Sequence, residues 1–196
     1  EIPNHAKAGF AVLRGKVTLE NIKVDFCNQV VLCDDFKHGK SAMFDFTPCM
    51  NLKFNKSGLT ITPDNHTELL TNSCDEDWTI KTDLKFAAEG DAYAGLISRQ
   101  DDENSVVAGR KIEDGKPVFF LGRANAGVLL TYYIAPDTNP NTKATIQLQR
   151  IGTKYSAIYS YNNGTTWHLI GKGIDANYCV ERVGLVADGK SATFGY

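Results

Sequence analysis

The sequence predicts an all-β chain folded as a two-sheet antiparallel sandwich. Three observations predict it. Apolar and polar residues alternate with period two in one segment after another, as half-buried strands require. Clusters of Gly, Pro, Asn and Asp punctuate those segments at short intervals, and such spacing is typical of sandwiches. The stretch 155–167 has an aromatic-rich run ending in Asn163-Gly164 and re-emerging at Trp167. Asn-Gly accepts the positive φ angles of a tight hairpin turn.

The elements follow in chain order. Trp78, Ile80, Leu84 and Phe86 share one parity, with Thr79, Lys81, Asp83 and Lys85 on the other. This is one strand with an apolar inner face, and its parity places Trp78 in the core. Strands are expected over 93–99, 105–112, 117–122, 128–134 and 180–187. Ile146 and Leu148 alternate with Thr145, Gln147 and Gln149 in the same way. Turns fall at 89–91, 100–104, 113–116 and 136–141, where Asp, Asn, Gly and Pro concentrate.

Segments 8–19 and 183–194 echo one another: Ala8-Gly9-Phe10-Ala11-Val12 with Gly15-Lys16, and Val183-Gly184-Leu185-Val186-Ala187 with Gly189-Lys190. In the first copy the apolar parity changes near Glu20-Asn21, which calls for a bulge. Residues 1–26 are therefore read as a separate N-terminal β segment, the end of a preceding module or a complementing strand. Residues 27–196 form the sandwich.

Length and charge exclude several classes. The 196 residues suffice for one sizeable core. A formal net charge of −2 provides no basic footprint, so neither nucleic acid nor another polyanion is an expected partner. No apolar run approaches the roughly 20 residues of a membrane helix, and Glu1-Ile2-Pro3-Asn4 lacks the order of a signal peptide. The chain reads as a mature or excised, non-membrane fragment. Cys27, Cys33, Cys49, Cys74 and Cys179 are odd in number and match no zinc spacing.

From Asp34-Asp35-Phe36 onward the chain resembles the concanavalin A-like sandwich modules of bacterial glycoside hydrolases. The resemblance is to modules that follow family 43 xylosidases and to the fructan-binding modules of family 66. It is carried by Trp78-Thr79-Ile80 with Leu84-Lys85-Phe86, and by Ala94-Gly95-Leu96-Ile97 with 101–104. Ile146 to Arg150, Tyr159-Ser160-Tyr161, Trp167 and Val183-Gly184-Leu185 complete it. It implies a jelly-roll sandwich that binds a polysaccharide or oligosaccharide and is joined to a catalytic domain of the parent chain. It also implies an extracellular setting. Residues 160–167 resemble the Asp-box of sialidases as well, with Asn162 in place of aspartate; in that family the box is a structural hairpin.

Catalysis lacks its residues. Glycoside hydrolysis needs two carboxyl groups facing each other across the bond, whereas the acids here cluster in turns. No nucleophile elbow flanks a Ser or Cys, and His5, His38, His66 and His168 stand apart from any such motif.

Binding remains. Sugars demand Arg, Asp, Asn or Gln beside an aromatic ring. The candidate residues are Arg99, Asp101, Asn104, Arg110, Gln149, Tyr159 and Tyr161, with Arg99 and Arg110 expected to converge across the 100–104 loop. Trp167 is expected at the base of the hairpin. A structural calcium ion is compatible with the Asp- and Asn-rich loops, although no spacing names its ligands.

Overall fold

Alternation along the chain becomes pleated strand in the computed structural model, which describes residues 52–56, 58–72, 77–178 and 182–195. Among these, thirteen strands form. They are β1 (Leu52–Asn55), β2 (Gly58–Ile61), β3 (His66–Asn72), β4 (Trp78–Lys85), β5 (Tyr93–Arg99), β6 (Ser105–Glu113) and β7 (Lys116–Asn125). Then come β8 (Val128–Pro136), β9 (Ala144–Ile151), β10 (Lys154–Ser160), β11 (His168–Asp175), β12 (Arg182–Asp188) and β13 (Ala192–Gly195). The boundary proposed between residues 26 and 27, the first copy of the echo and all five cysteines lie outside the described residues.

The strands form two antiparallel sheets. One has seven strands in the order β1-β2-β13-β4-β9-β10-β11, the other six in the order β3-β12-β5-β6-β7-β8. Turn chemistry sets the sequential hairpins. Asp114 and Gly115 take φ of 50° and 72° between β6 and β7, and Ala126 and Gly127 take 52° and 75° between β7 and β8. Both pairs have the positive φ at two central residues that matches strand twist.

The inward faces of both sheets meet in one core that includes Leu84, Leu96, Phe119, Leu121, Ile146, Leu148, Tyr155 and Phe194. Trp78 lies in it, its ring edge-on to Tyr155 at 5.9 Å. A second buried cluster, Leu70, Ile97, Val107, Phe120 and Val186, belongs to the opposite parity of the six-stranded sheet. Glycine is required where the strands of that sheet approach closely. A Cβ at Gly95 would stand 2.1 Å from the Ala108 carbonyl oxygen, and one at Gly184 would stand 1.9 Å from that of Leu69.

The predicted strands appear, several of them longer than expected; of the one expected over 180–187, residues 182–187 lie in β12 and 180–181 lie outside the described residues. The short β1, β2 and β13 were not anticipated, nor was β3. The connection after β10 differs from a two-residue hairpin. Tyr159 pairs with His168, so Asn163 and Gly164 sit inside a longer loop.

Candidate functional site

The β10–β11 loop is held by side chains that stand in for a ladder. The Ser160 hydroxyl donates to Asn162 Oδ1 at 2.8 Å and accepts the backbone N–H groups of Asn162 and Gly164 at 3.2 and 3.0 Å. Asn162 Oδ1 also accepts the Thr166 N–H at 2.8 Å, while its Nδ2 donates to Thr166 Oγ1 at 3.2 Å. Short polar side chains capture backbone donors in this way wherever a loop has no strand partner. Asn163 and Gly164 take the expected positive φ, 53° and 81°. The loop thereby delivers Trp167 to one end of the seven-stranded sheet.

There the chain forms a cleft of about 330 Å³, lined by Lys81, Thr82, Asp83, Lys143, Thr145, Asn163 and Trp167. The register explains the meeting: Asp83 on β4 pairs with Thr145 on β9, which pairs with Ser160 at the end of β10. Asp83 Oδ1 accepts the Thr145 hydroxyl at 2.6 Å, and Oδ2 receives the Lys143 ammonium at 2.5 Å. The carboxylate is thus fixed in orientation yet keeps acceptor capacity, since each of its oxygens offers two lone pairs. An indole wall, an oriented carboxylate, an ammonium and a carboxamide face one small space. Its volume is at the lower end of the roughly 300–1,000 Å³ typical of ligand pockets.

The seven residues read from the sequence are dispersed. Arg99 and Arg110 do lie on neighbouring strands, but Arg99 pairs with Ser105 and Arg110 with Ala94, so they stand at opposite ends of β5 and β6. They also differ in face, because Arg110 shares parity with the core residues Val106 and Ala108. The expected convergence is not formed.

Arg99 donates to Glu68 and Asp102 and, through Nε, to the Asp101 carbonyl at 3.0 Å. Glu68 in turn meets His66 Nε2 at 2.8 Å, and His66 Nδ1 meets Asp188 at 2.8 Å. The hydrogen bond that His66 donates to Glu68 holds the His66 pKa above its ordinary value against the opposing effect of burial, with Asp188 adding to the rise. Asp101 caps its own turn, accepting the N–H groups of Glu103 and Asn104 at 2.9 and 2.8 Å and the Asn104 amide at 2.8 Å. The bond from the Asn104 side chain, followed by that from the Glu103 backbone, lowers its pKa. Asp101 and Asn104 therefore close a loop on each other.

Arg110 is 1% exposed. It pairs with Asp137 Oδ2 at 2.9 Å, donates to the Thr142 carbonyl at 2.6 Å and lies over the Phe119 ring. Tyr161 donates to Asp137 Oδ1 at 2.5 Å and completes this buried group. Burial, followed by that hydrogen bond, raises the Tyr161 pKa. Tyr159 belongs to the core, stacked on Phe119 at 3.9 Å and on His168 at 5.1 Å.

Gln149 alone of the seven shares the sheet face of the cleft, where it donates to Thr79 at 3.3 Å. It lies four residues along β9 from Thr145, about 13 Å at the rise of a strand. Among the described residues no group of three or more His, Cys, Asp or Glu is arranged to hold a metal ion.

The sequence reading missed Asp83, Lys143, Thr145 and Asn163 as site residues. The outward parity of Lys81 and Asp83 was legible, whereas Trp167 was expected at the base of the hairpin and instead walls the cleft. What brings them together is register between β4 and β9, which neither segment encodes alone.

The class these two sheets define is a two-sheet antiparallel β-sandwich found in several solved structures. Xylan beta-1,4-xylosidase from Bacillus halodurans C-125 superimposes with a TM-score of 0.68 at 14% identity, over 82% of this chain and 37% of that one. The family 66 carbohydrate-binding module from Bacillus subtilis gives 0.57 at 16% identity, over 74% of this chain and 88% of the module. A functionally unknown protein from Saccharomyces cerevisiae gives 0.61 at 16% identity, with the same two coverages, 74% and 88%. The chain thus spans little more than a third of the xylosidase but nearly all of the module. No protein-family profile matches the sequence, and no curated protein sequence matches it.

Proposed function

We propose that this sandwich is a non-catalytic carbohydrate-binding module and that its glycan seats in the Trp167–Asp83 cleft. The cleft carries the reading. A flat indole offers a surface for the C–H face of a sugar ring, while Asp83, Lys143 and Asn163 offer the acceptor and donors that hydroxyl groups require. The shared fold with a carbohydrate-binding module and a xylosidase supports the same ligand class. Among the described residues Asp83 is the one carboxylate lining the cleft, whereas glycoside hydrolysis uses a facing pair. In this reading the module is joined to a glycoside hydrolase acting on polysaccharide outside the cell, and raises the local concentration of enzyme on its substrate.

Affinity electrophoresis and titration calorimetry of the chain against xylan, fructan, β-glucan and pectin test the proposal. Retention by at least one glycan, lost in Trp167→Ala with the fold intact, is expected. A folded protein retained by none of them would instead be a structural or adhesive spacer, and cleavage of any glycan would make it a small sandwich hydrolase.

A further inference from the structure

Net charge averages over a surface, and here the average conceals a division. The acids concentrate in turns: Asp64, Glu89, Asp91, Asp101, Asp102 and Asp114 all lie between strands. The outer face of the seven-stranded sheet, which holds the cleft, is assembled differently. Register places Lys53, Thr60, Thr193 and Lys85 in one row across β1, β2, β13 and β4. The next row is Gly195, Asp83, Thr145 and Ser160. Beyond it run Lys81 with Gln147 and Ile158, then Thr79 with Gln149, Ser156 and Lys172. A last row joins Ile151, Lys154 and Asp175, and with Lys143 at the cleft the charged residues of these rows are six lysines and two carboxylates, Asp83 and Asp175, among the described residues. Asp83 is already matched by Lys143.

We propose that the glycan is anionic, a polysaccharide bearing carboxylates along its chain, with one unit held in the cleft and its neighbours crossing the lysine face. This rests on the cleft being a sugar site and specifies the class of sugar. The physical reason is the field. Lysines spread across a flat sheet produce a positive potential that attracts a polyanion and adds ion pairs along it. Neutral hydroxyl-rich chains can accept hydrogen bonds from those ammonium groups but form no ion pairs with them. Thr60, Thr193, Gln147 and Gln149 supply hydrogen-bonding groups between the lysines.

The test compares the full chain's affinity for polygalacturonate with that for the same polymer after its carboxyl groups are reduced to alcohols. Polygalacturonate is expected to bind about three- to tenfold more tightly at low salt, the range a few solvent-exposed ion pairs provide. The gap should close as sodium chloride approaches about 0.5 M, where charges are screened within several ångströms. Lys85→Gln combined with Lys172→Gln, neither of which lines the cleft, should narrow the gap without lowering the melting temperature. Equal or tighter binding of the reduced polymer would overturn the anionic class while leaving a sugar-binding cleft in place. Binding to neither, nor to any other glycan, would remove both readings. Tighter binding to single-stranded DNA than to polygalacturonate would overturn the glycan as the polyanion.

Discussion

Trp167 packs directly against Gly164: a Cβ added at the glycine would stand 3.0 Å from Cζ2 of the indole. The glycine also holds a φ of +81°, which a side chain would strain. The loop backbone and the wall of the cleft are therefore one unit. Trp167→Ala should reduce glycan affinity by about 30-fold or more, the loss of a central aromatic contact. Gly164→Ala should weaken binding as well, by displacing a ring it does not replace. Calorimetric titration of both variants, with circular dichroism to confirm the fold, checks this.

Asn162 is the lock of the same loop, since it bonds Ser160 and Thr166 at once. Asn162→Ala should cost about 1 kcal/mol, a fall of roughly 2–4 °C in Tm for a domain of this size. Asn162→Asp keeps both acceptor roles of Oδ1 and should stay near wild type. Thermal melts of the pair decide it; equal losses would show that the side-chain bonds do not hold the loop.

Arg110 belongs to stability. Arg110→Met leaves the Asp137 carboxylate buried without its cation and should destabilise the fold by about 3–5 kcal/mol. Adding Asp137→Asn removes the stranded charge and should recover part of that loss. Denaturant unfolding of the single and double variants measures it, and glycan affinity of the folded fraction should be unchanged.

His66 makes stability depend on pH. Its folded pKa is raised by Glu68 and, more weakly, by Asp188, so the folded state holds the proton more tightly than the unfolded chain. The stabilisation is fully present below the ordinary histidine pKa of about 6.5 and is lost as pH rises through the higher folded value. Glu68 acts in the other direction. Burial raises its pKa, but hydrogen bonds from His66 and Arg99 outweigh that and leave it lowered. Its contribution is therefore lost as pH falls through the depressed value. Tyr93 on β5 is kept neutral by burial, which pushes its phenol up, and Arg99 stays charged. The wild type should lose Tm relative to His66→Gln as pH is raised stepwise from about 6.5. Parallel melting curves across that rise would abolish the assignment.

The β-sandwich was legible because its signals are local. Parity within Trp78–Lys85 requires no knowledge of other strands, and Asp114-Gly115 turns the chain wherever it occurs. Strands as short as β1, β2 and β13 escaped because four residues hold too little alternation to be told from loop.

Local pattern in the chain specified the class of fold, the strands β4 to β10 and most of β12, and the inward placement of Trp78. Tertiary structure decided the rest. Arg110 is expected from sequence to converge with Arg99 at a sugar site, yet its parity with Val106 and Ala108 turns it into the core, where it pairs with Asp137, which Tyr161 also bonds. Asp83 and Thr145 are 62 residues apart, and the lysine face is gathered from β1, β4, β10 and β11 together with Lys143. Such neighbours are set by register between strands distant in sequence. That register follows from the burial of entire faces, which no single segment can specify.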